Sequence, residues 1–162
     1  MLVAIDVETT GLDPSRHQVL QIALSTLEGE CISYGVRHDN YVVDPIALAT
    51  NKIDLMTNHD NSASWQQVTA HIYDWIKDIC GDGPVYAVGF NPVFDLSFIK
   101  GTILQQLFHY RTVDLNAVIL FMGLDKEEVY KAVNADHKIR HTAAGDCKIA
   151  IDVYRYLHGV IA

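Results

Sequence analysis

The stretch that organises this chain reads Leu2-Val3-Ala4-Ile5-Asp6-Val7-Glu8-Thr9-Thr10-Gly11-Leu12. Its apolar, β-branched residues predict a buried strand, yet that strand carries Asp6 and Glu8 two positions apart. Alternate residues of a strand point to the same face, so the two carboxylates lie side by side. They repel each other and resist desolvation unless a cation lies between them, and Mg²⁺ and Mn²⁺ favour such oxygen ligands. The alternative is a strand end at which both acids are simply solvated.

Length and composition indicate one globular domain over residues 1–162. Of these residues 49% are hydrophobic and 20% are charged, which is ordinary for a soluble protein. We expect no signal peptide, because the start lacks a basic region and a long apolar core. No apolar run approaches the roughly 18 residues of a membrane span. Cys31, Cys80 and Cys147 are far apart and lack CxxC spacing, which favours reduced thiols in a cytoplasmic protein.

The net charge of −8 argues against a firm grip on long duplexes, because phosphate binding depends on Lys and Arg. The excess of acids lies in residues 1–100, which hold 13 acids against 5 basic residues, whereas residues 101–162 hold 7 of each. Two bound divalent ions would cancel four negative charges in the acidic part. A short or single-stranded nucleic acid held at its end therefore fits the charge distribution better than a long duplex.

The order of the predicted elements indicates an α/β fold with a mixed five-stranded sheet flanked by helices. Short turns join the first three strands into an antiparallel meander, whose second and third strands are predicted over residues 19–27 and 31–36, with an extension to 41–43. Parallel strands are predicted over 85–89 and 112–114. Helices are predicted over 64–80, 95–107, 115–122, 126–135 and from 141 or 142 to 157, with a helical turn over 46–51 and a loop over 58–62.

Asp95, Asp146 and His141 complete the set of candidate site residues. Asp95 follows a predicted strand and a Phe-Asn-Pro turn, where a solvated helix N-cap is the alternative. Asp146 lies in the last helix, five residues after His141 at its start, a spacing that lets the two share a flank. Taken singly, such residues are at least as typical of a surface as of a catalytic site.

Taken together, the motifs resemble those of the DEDD 3′→5′ exonucleases of the ribonuclease H-like superfamily, in the branch with a histidine in the third motif. Its members include DnaQ-like proofreading exonucleases, oligoribonucleases and ribonuclease T. The motifs are Asp6-Val7-Glu8-Thr9-Thr10-Gly11-Leu12, Asn91-Pro92-Val93-Phe94-Asp95 and His141-Thr142-Ala143-Ala144-Gly145-Asp146. Phe90 stands where many relatives carry histidine, and Cys147 stands where alanine is common. Neither is a metal-ligand position, so these two departures bear on how the substrate fits more than on the chemistry.

The resemblance implies a metal-dependent exonuclease that releases nucleoside 5′-monophosphates by a two-metal mechanism. The catalytic ligands for two Mg²⁺ or Mn²⁺ ions would be Asp6, Glu8, Asp95 and Asp146. His141 would be the general base that takes a proton from the attacking water. The residues expected to bind substrate are Thr9, Thr10, Gly11, Leu12, Asn91 and Phe94. Of these, Leu12 and Phe94 would pack against terminal bases, a contact that tolerates any sequence.

The expected substrates are single-stranded DNA or RNA, or short oligonucleotides. The resemblance also allows a homodimer and a polymerase partner on a separate chain, whereas no membrane partner is expected. The alternative function is a catalytically weak or inactive exonuclease-fold module that binds a polymerase or another protein, and the complete set of acids disfavours it. A zinc protease is disfavoured because His137 and His141 have HxxxH spacing without the required glutamate. Four basic residues could contact phosphates or equally form a solvated surface: Lys126, Lys131, Lys138 and Arg140.

Overall fold

A computed structural model describes residues 1–135 and 141–161 of the chain. Within them, six strands form one mixed sheet in the order β4-β3-β2-β1-β5-β6. The strands are β1 Leu2–Thr9, β2 Val19–Thr26, β3 Cys31–Arg37, β4 Ala63–Ser64, β5 Tyr86–Gly89 and β6 Val113–Asp114. β1, β2 and β3 are antiparallel, whereas β5 pairs with β1 and β6 with β5 in parallel. The predicted α/β class, meander and mixed sheet are therefore confirmed.

The sheet departs from the sequence prediction at its β3 edge. β4 is a sixth strand, which pairs in parallel with Val36 and Arg37 and is too short to show any alternation in sequence. The predicted extension of the third strand over 41–43 is wrong. There the Val42 N–H donates to the side-chain Oε1 of Gln18 at 2.8 Å and not to the backbone carbonyl of a neighbouring strand.

The helices within the described residues are α1 Pro45–Asn51, α2 Leu55–Asn61, α3 Trp65–Cys80, α4 Pro92–Phe98, α5 Leu115–Phe121, α6 Lys126–Ala132 and α7 Ala143–Ile161. The loop predicted over 58–62 is wrong, because Asp54 caps α2 by accepting the Thr57 N–H at 2.8 Å. The helix predicted over 95–107 is too long. The helix begins at Pro92 and ends at Phe98; the left-handed Gly101, with φ of 84°, then turns the chain into a 3₁₀ helix at Ile103–Gln106. No helix in the described part is long and apolar enough to cross a membrane.

Alternation along β1 separates two hydrophobic cores, one on each face of the sheet. Val3, Ile5 and Val7 pack with residues of α3, and the tryptophans Trp65 and Trp75 of that helix are partly buried against this core. On the other face, Ala4, Ala23 and Val88 pack against α7 together with α5 and α6. Small residues at these three positions let α7 lie close to the sheet. Asp6 and Glu8 continue the face that begins with Ala4, and so lie under the start of α7.

The helix α2 packs closely against the sheet at Gly35 of β3. The Asn58 Nδ2 donates to the carbonyls of Leu20 at 3.3 Å and Val36 at 2.9 Å, which fixes α2 over β2 and β3. A Cβ added at Gly35 would overlap Ser62 Oγ and would lie 3.3 Å from Asn58 Oδ1. Glycine is therefore needed at this position because α2 leaves no room for a side chain.

We expect Gly35→Ala to destabilise the protein by about 1–3 kcal/mol, because the new methyl group pushes Ser62 and α2 away from the sheet. Thermal unfolding followed by circular dichroism would show a melting temperature lower by about 2–4 °C per kcal/mol. Ser62→Ala alone should be nearly neutral, and in the double variant it should recover part of the loss. A Gly35→Ala variant as stable as wild type would show that the close packing of Ser62 on Gly35 does not stabilise the protein.

Candidate active site

Three carboxylates from two elements meet at the end of β1. Asp6 and Glu8 lie on the face of the sheet that α7 covers, and Asp146 projects from the first turn of α7. One carboxylate oxygen from each of these three residues lies within 4.8 Å of the others. Oxygen donors at such separations suit a divalent cation, which would replace their mutual repulsion by attraction.

Asp95 joins the cluster through α4 and is 4% exposed. Its Oδ1 accepts a hydrogen bond from the backbone N–H of Val7 at 2.9 Å. Val7 stands between Asp6 and Glu8, and β5 pairs with β1 only as far as Ala4. Asp95 therefore takes the place of a strand partner and holds α4 beside the other acids.

Burial and repulsion raise the pKa values of these carboxyls. Burial raises the pKa of Asp6 well above its usual range, with added repulsion from Asp95, Asp146 and Glu8. Burial and the charge of Asp146 raise the pKa of Glu8 to about 7, against a hydrogen bond from Asn51 that lowers it. Burial also raises the pKa of Asp95 to about 7, although the Val7 N–H favours the ionised form. Without a cation, the cluster therefore retains protons close to neutral pH.

His141 lies just before α7, not within its first turn, so the predicted helix start at this residue is wrong. The helix begins at Ala143, and the Thr142 Oγ1 accepts the Gly145 N–H at 3.2 Å. His141 is exposed and has a left-handed backbone with φ of 66°. Its N–H donates to Asp146 Oδ2 at 2.9 Å. The backbone of the candidate base is thereby fixed to a candidate metal ligand.

A cavity of about 210 Å³ opens beside Glu8. The sequence-predicted residues Thr9, Leu12 and Phe94 line it, and α1 supplies Ile46, Ala47, Thr50 and Asn51. Leu12 is 74% exposed, so an apolar side chain is available to a molecule in the cavity. A partly apolar cavity next to an acidic cluster can hold the sugar and base of a nucleotide while its phosphate faces the acids.

Three predicted substrate residues do not line this cavity. Thr10 is fully buried, and its Oγ1 accepts the Gln18 N–H at 2.9 Å. A Cβ on Gly11 would lie 2.5 Å from the His17 ring, so this glycine serves a close approach inside the turn. Asn91 has φ of 67°, and its N–H donates to Asp114 Oδ1 at 3.1 Å. Their contact with substrate stays a prediction.

Sequence reasoning missed Asn51, which is 8% exposed and bonded to the backbone of the first motif. Its Nδ2 donates to the Thr9 carbonyl at 3.1 Å. The sequence separation of 42 residues means that no local spacing relates the two. The one signal, an asparagine near the end of a short helical turn, is ordinary for a helix terminus.

The basic residues near the third motif are described only in part. The Lys126 Nζ donates to Asn116 Oδ1 at 2.8 Å and lies 5.0 Å from the centre of the Phe90 ring. These contacts join α6 to α5 and β5, so Lys126 has a structural role in addition to its charge. Lys131 is exposed. Two further basic residues and one histidine of the sequence prediction lie outside the described residues: Lys138, Arg140 and His137.

The whole arrangement corresponds to a known family. Residues 3–154 match the family model RNase_T, described as exonuclease. The chain belongs to the exonuclease family. It is a 3′→5′ exonuclease of the DEDDh type within the ribonuclease H-like superfamily, and thus a nucleic-acid hydrolase.

Relatives resemble this exonuclease over nearly its full length. Oligoribonucleases of Bordetella pertussis and Bordetella bronchiseptica are each 25% identical to it over 172 aligned positions, covering 96% of this chain and 92% of theirs.

Solved structures show the same fold at lower identity. Exonuclease I of E. coli in complex with a dT13 oligonucleotide has a TM-score of 0.75 and 18% identity, covering 96% of this chain and 40% of its own. Pop2p of S. pombe, in its Mg²⁺- and Mn²⁺-bound form, has a TM-score of 0.70 and 10% identity, covering 98% and 82%. The chain thus spans two-fifths of exonuclease I, and the likeness to both concerns the fold.

We expect the metal-free exonuclease to lose stability as pH rises from about 4 to 7. Native Glu8 and Asp95 keep their protons up to about pH 7, whereas their ordinary pKa values are 4.5 and 3.8. The native state therefore binds more protons than the unfolded state in this window, so the free energy of unfolding falls. Mn²⁺ binds the ionised carboxylates and should reverse this loss of stability. At a concentration 100 times its Kd, it should add about 2.7 kcal/mol to the free energy of unfolding.

Thermal unfolding in EDTA and in Mn²⁺ at pH 5 and pH 8 measures this effect. Glu8→Gln removes one titrating group without changing the shape of the side chain. In EDTA this variant should gain stability over wild type as pH rises. A difference in stability between Glu8→Gln and wild type that is the same at pH 5 and pH 8 would contradict the raised pKa of Glu8.

Proposed function

We propose that this exonuclease removes nucleotides from the 3′ ends of single-stranded DNA or RNA, or of short oligonucleotides, and releases nucleoside 5′-monophosphates. The observation that carries the proposal is the convergence of Asp6, Glu8 and Asp146 within 4.8 Å, directly beside a partly apolar cavity that Leu12 and Phe94 line. We further propose that residues 1–162 form a single exonuclease domain. The cytoplasmic location stays a prediction from the cysteine pattern.

The donor set fits hard divalent cations. The cluster is made of carboxylates alone, and oxygen ligands of this kind favour Mg²⁺ or Mn²⁺ over metals that prefer sulfur or nitrogen. Asp6, Glu8 and Asp146 would hold one ion, and Asp95, fixed by Val7, would serve a second. When bound, two such ions would stabilise the negative charge that develops on the phosphate during hydrolysis.

His141 is proposed as the general base. His141 is exposed, and the hydrogen bond from its backbone N–H to Asp146 fixes its backbone next to the cluster. An imidazole there can accept the proton of a water molecule that attacks the terminal phosphodiester. The proton then passes to solvent, which reaches the exposed ring.

Leu12 and Phe94 are proposed to enclose the terminal base. Both line the cavity beside Glu8, and apolar or aromatic contact with a base does not depend on its identity. The names of the relatives support such substrates, since the Bordetella proteins are oligoribonucleases and exonuclease I of E. coli was solved with a dT13 strand. Discrimination between RNA and DNA depends on contacts to the 2′-hydroxyl.

The alternative of an inactive protein-binding module is not favoured. An inactive module has no need for partly buried acids that repel one another, yet three such acids converge here. The buried Asp95 is hydrogen-bonded to Val7, which stands between two of them. Nothing in residues 1–135 and 141–161 supports the homodimer or the polymerase partner that the resemblance allowed. Neither forms part of the proposal.

We expect 5′-labelled single strands to shorten stepwise in Mg²⁺ or Mn²⁺ and to stay intact in EDTA. His141→Ala should lower kcat by about 10²–10⁴-fold, because the proton of the attacking water loses its acceptor. Asp146→Asn should abolish both cleavage and stabilisation by Mn²⁺. Gel analysis of DNA and RNA strands, with analysis of the products for nucleoside 5′-monophosphates, measures these effects.

His158→Ala is the matched control, since His158 is an exposed histidine at the far end of α7. It should leave kcat unchanged. Full activity of Asp146→Asn, or internal cleavage of the labelled strands, would refute the proposed function.

We expect Leu12→Ala and Phe94→Ala to raise KM for oligonucleotides, because each removes apolar contact with the terminal base, worth about 1–3 kcal/mol per base. Their kcat should change less, since neither residue belongs to the acidic cluster. Leu120→Ala is a matched control, because Leu120 is 80% exposed on α5 and outside the cavity. Steady-state kinetics on a fluorescent trinucleotide measures both parameters, and an unchanged KM in both cavity variants would contradict this assignment.

A further inference from the structure

The helix α1, which forms one wall of the nucleotide cavity, is held to the protein mainly by polar contacts. Of its seven residues only Asn51 is buried, whereas Ile46 is 76% exposed. A short helix with so little apolar burial is not fixed by a hydrophobic face. Its position must therefore depend on hydrogen bonds at its ends.

Hydrogen bonds at both ends of α1 lead to the first motif. At the start of α1, the Asp44 N–H donates to the Thr10 carbonyl at 2.7 Å. At its end, Asn51 Nδ2 donates to the Thr9 carbonyl at 3.1 Å, and Asn51 lines the same cavity as the Glu8 carboxylate, whose pKa it lowers. Both ends of the helix are thus attached to the three residues that begin with the candidate metal ligand Glu8.

Both ends of the Asn51 carboxamide are committed to the protein. Its Nδ2 donates to the Thr9 carbonyl and its Oδ1 accepts the Ile53 N–H at 3.1 Å, while the amide group also favours the ionised form of Glu8. A side chain committed in this way is poorly suited to reading a nucleobase. It is well suited to fixing the partners that it joins.

Asn51 also separates two cavities. It lines the cavity of about 210 Å³ that contains Leu12 and Phe94, and it lines a groove of about 480 Å³ that extends to His141 and Thr142. Glu8 lies at this boundary, since its partner across the β1–β2 ladder, Gln21, lines the groove. A small shift of Asn51 would therefore move both the α1 wall of the smaller cavity and the Glu8 carboxylate.

We propose that Asn51 is a positioning residue, which orients the Glu8 carboxylate for divalent cation binding and keeps the α1 wall of the nucleotide cavity aligned with it. The proposal rests on the proposed function of the acidic cluster. A carboxylate held by a hydrogen-bond donor loses less rotational freedom when it binds a cation, and such outer partners commonly contribute 10–100-fold to metal affinity.

The test compares Asn51→Leu and Asn51→Ala with wild type. Leucine has the same number of side-chain heavy atoms as asparagine and the same branch at Cγ but cannot form the hydrogen bonds, and alanine removes them without adding bulk. Isothermal titration with Mn²⁺, without any nucleic acid, should show an increase in Kd of about 10-fold or more for both variants. In steady-state kinetics kcat should fall at limiting Mn²⁺ and recover at high Mn²⁺, while KM for the oligonucleotide stays near the wild-type value.

Asn61→Ala is the matched control. Asn61 lines the same groove, but its Nδ2 donates to the Thr57 carbonyl within α2. This variant should bind Mn²⁺ as tightly as wild type. Unchanged Mn²⁺ affinity in both Asn51 variants would overturn the proposal. So would a rise in KM alone, because it would make Asn51 a contact to the nucleotide.

A measurement on the unmodified chain keeps the proposal testable if both variants fail to fold. In ¹⁵N–¹H spectra, the side-chain NH₂ signals of Asn51 should shift as Mg²⁺ is added, and those of Asn61 should not. Unmoved Asn51 signals in a protein that binds Mg²⁺ would overturn the proposal. Wild type that binds Mn²⁺ but cleaves no oligonucleotide would defeat the proposed function alone, since the Mn²⁺ affinities are measured without substrate.

Discussion

Mutual repulsion and desolvation of the carboxylates at the end of β1 constrain much of the surrounding structure. Asp6 and Glu8 are placed by the strand, and Asp146 and Asp95 are brought to them by α7 and α4. A carboxylate cluster of this kind costs free energy in the absence of a cation. The hydrophobic cores on the two faces of the sheet offset that cost, and they fix the helices that carry the acids.

The attachments around β1 are of different physical kinds. α7 packs on Ala4, Ala23 and Val88 through small and apolar contacts, so its position follows from side-chain volume. α4 is fixed by the hydrogen bond between Asp95 and the Val7 N–H together with packing of Phe98 in the core, and α1 by polar contacts to residues 8–10. Tight packing thus secures Asp146, whereas the walls that α1 gives to the cavity beside Glu8 depend on fewer and more polar contacts. Such walls can adjust to a substrate more readily than the core can.

The sequence predicts those parts of the site that depend on local periodicity. The strand period of two placed Asp6 and Glu8 side by side, and the helical period over residues 64–80 predicted α3. Asp95 and Asp146 could be related to that pair only by the resemblance to a family, because their meeting is a tertiary event. The lengths of α4 and β4 and the hydrogen bond of Asn51 to Thr9 depend on backbone conformation and distant partners. No sequence window contains that information.

A crystal structure of the chain grown with Mn²⁺, with anomalous scattering used to locate the ions, tests the metal centre directly. We expect an anomalous peak among the carboxylate oxygens of Asp6, Glu8 and Asp146, with a second peak on the side of Asp95. Peaks only elsewhere on the surface, or none in crystals soaked at high Mn²⁺, would contradict the assignment of this cluster as a metal centre.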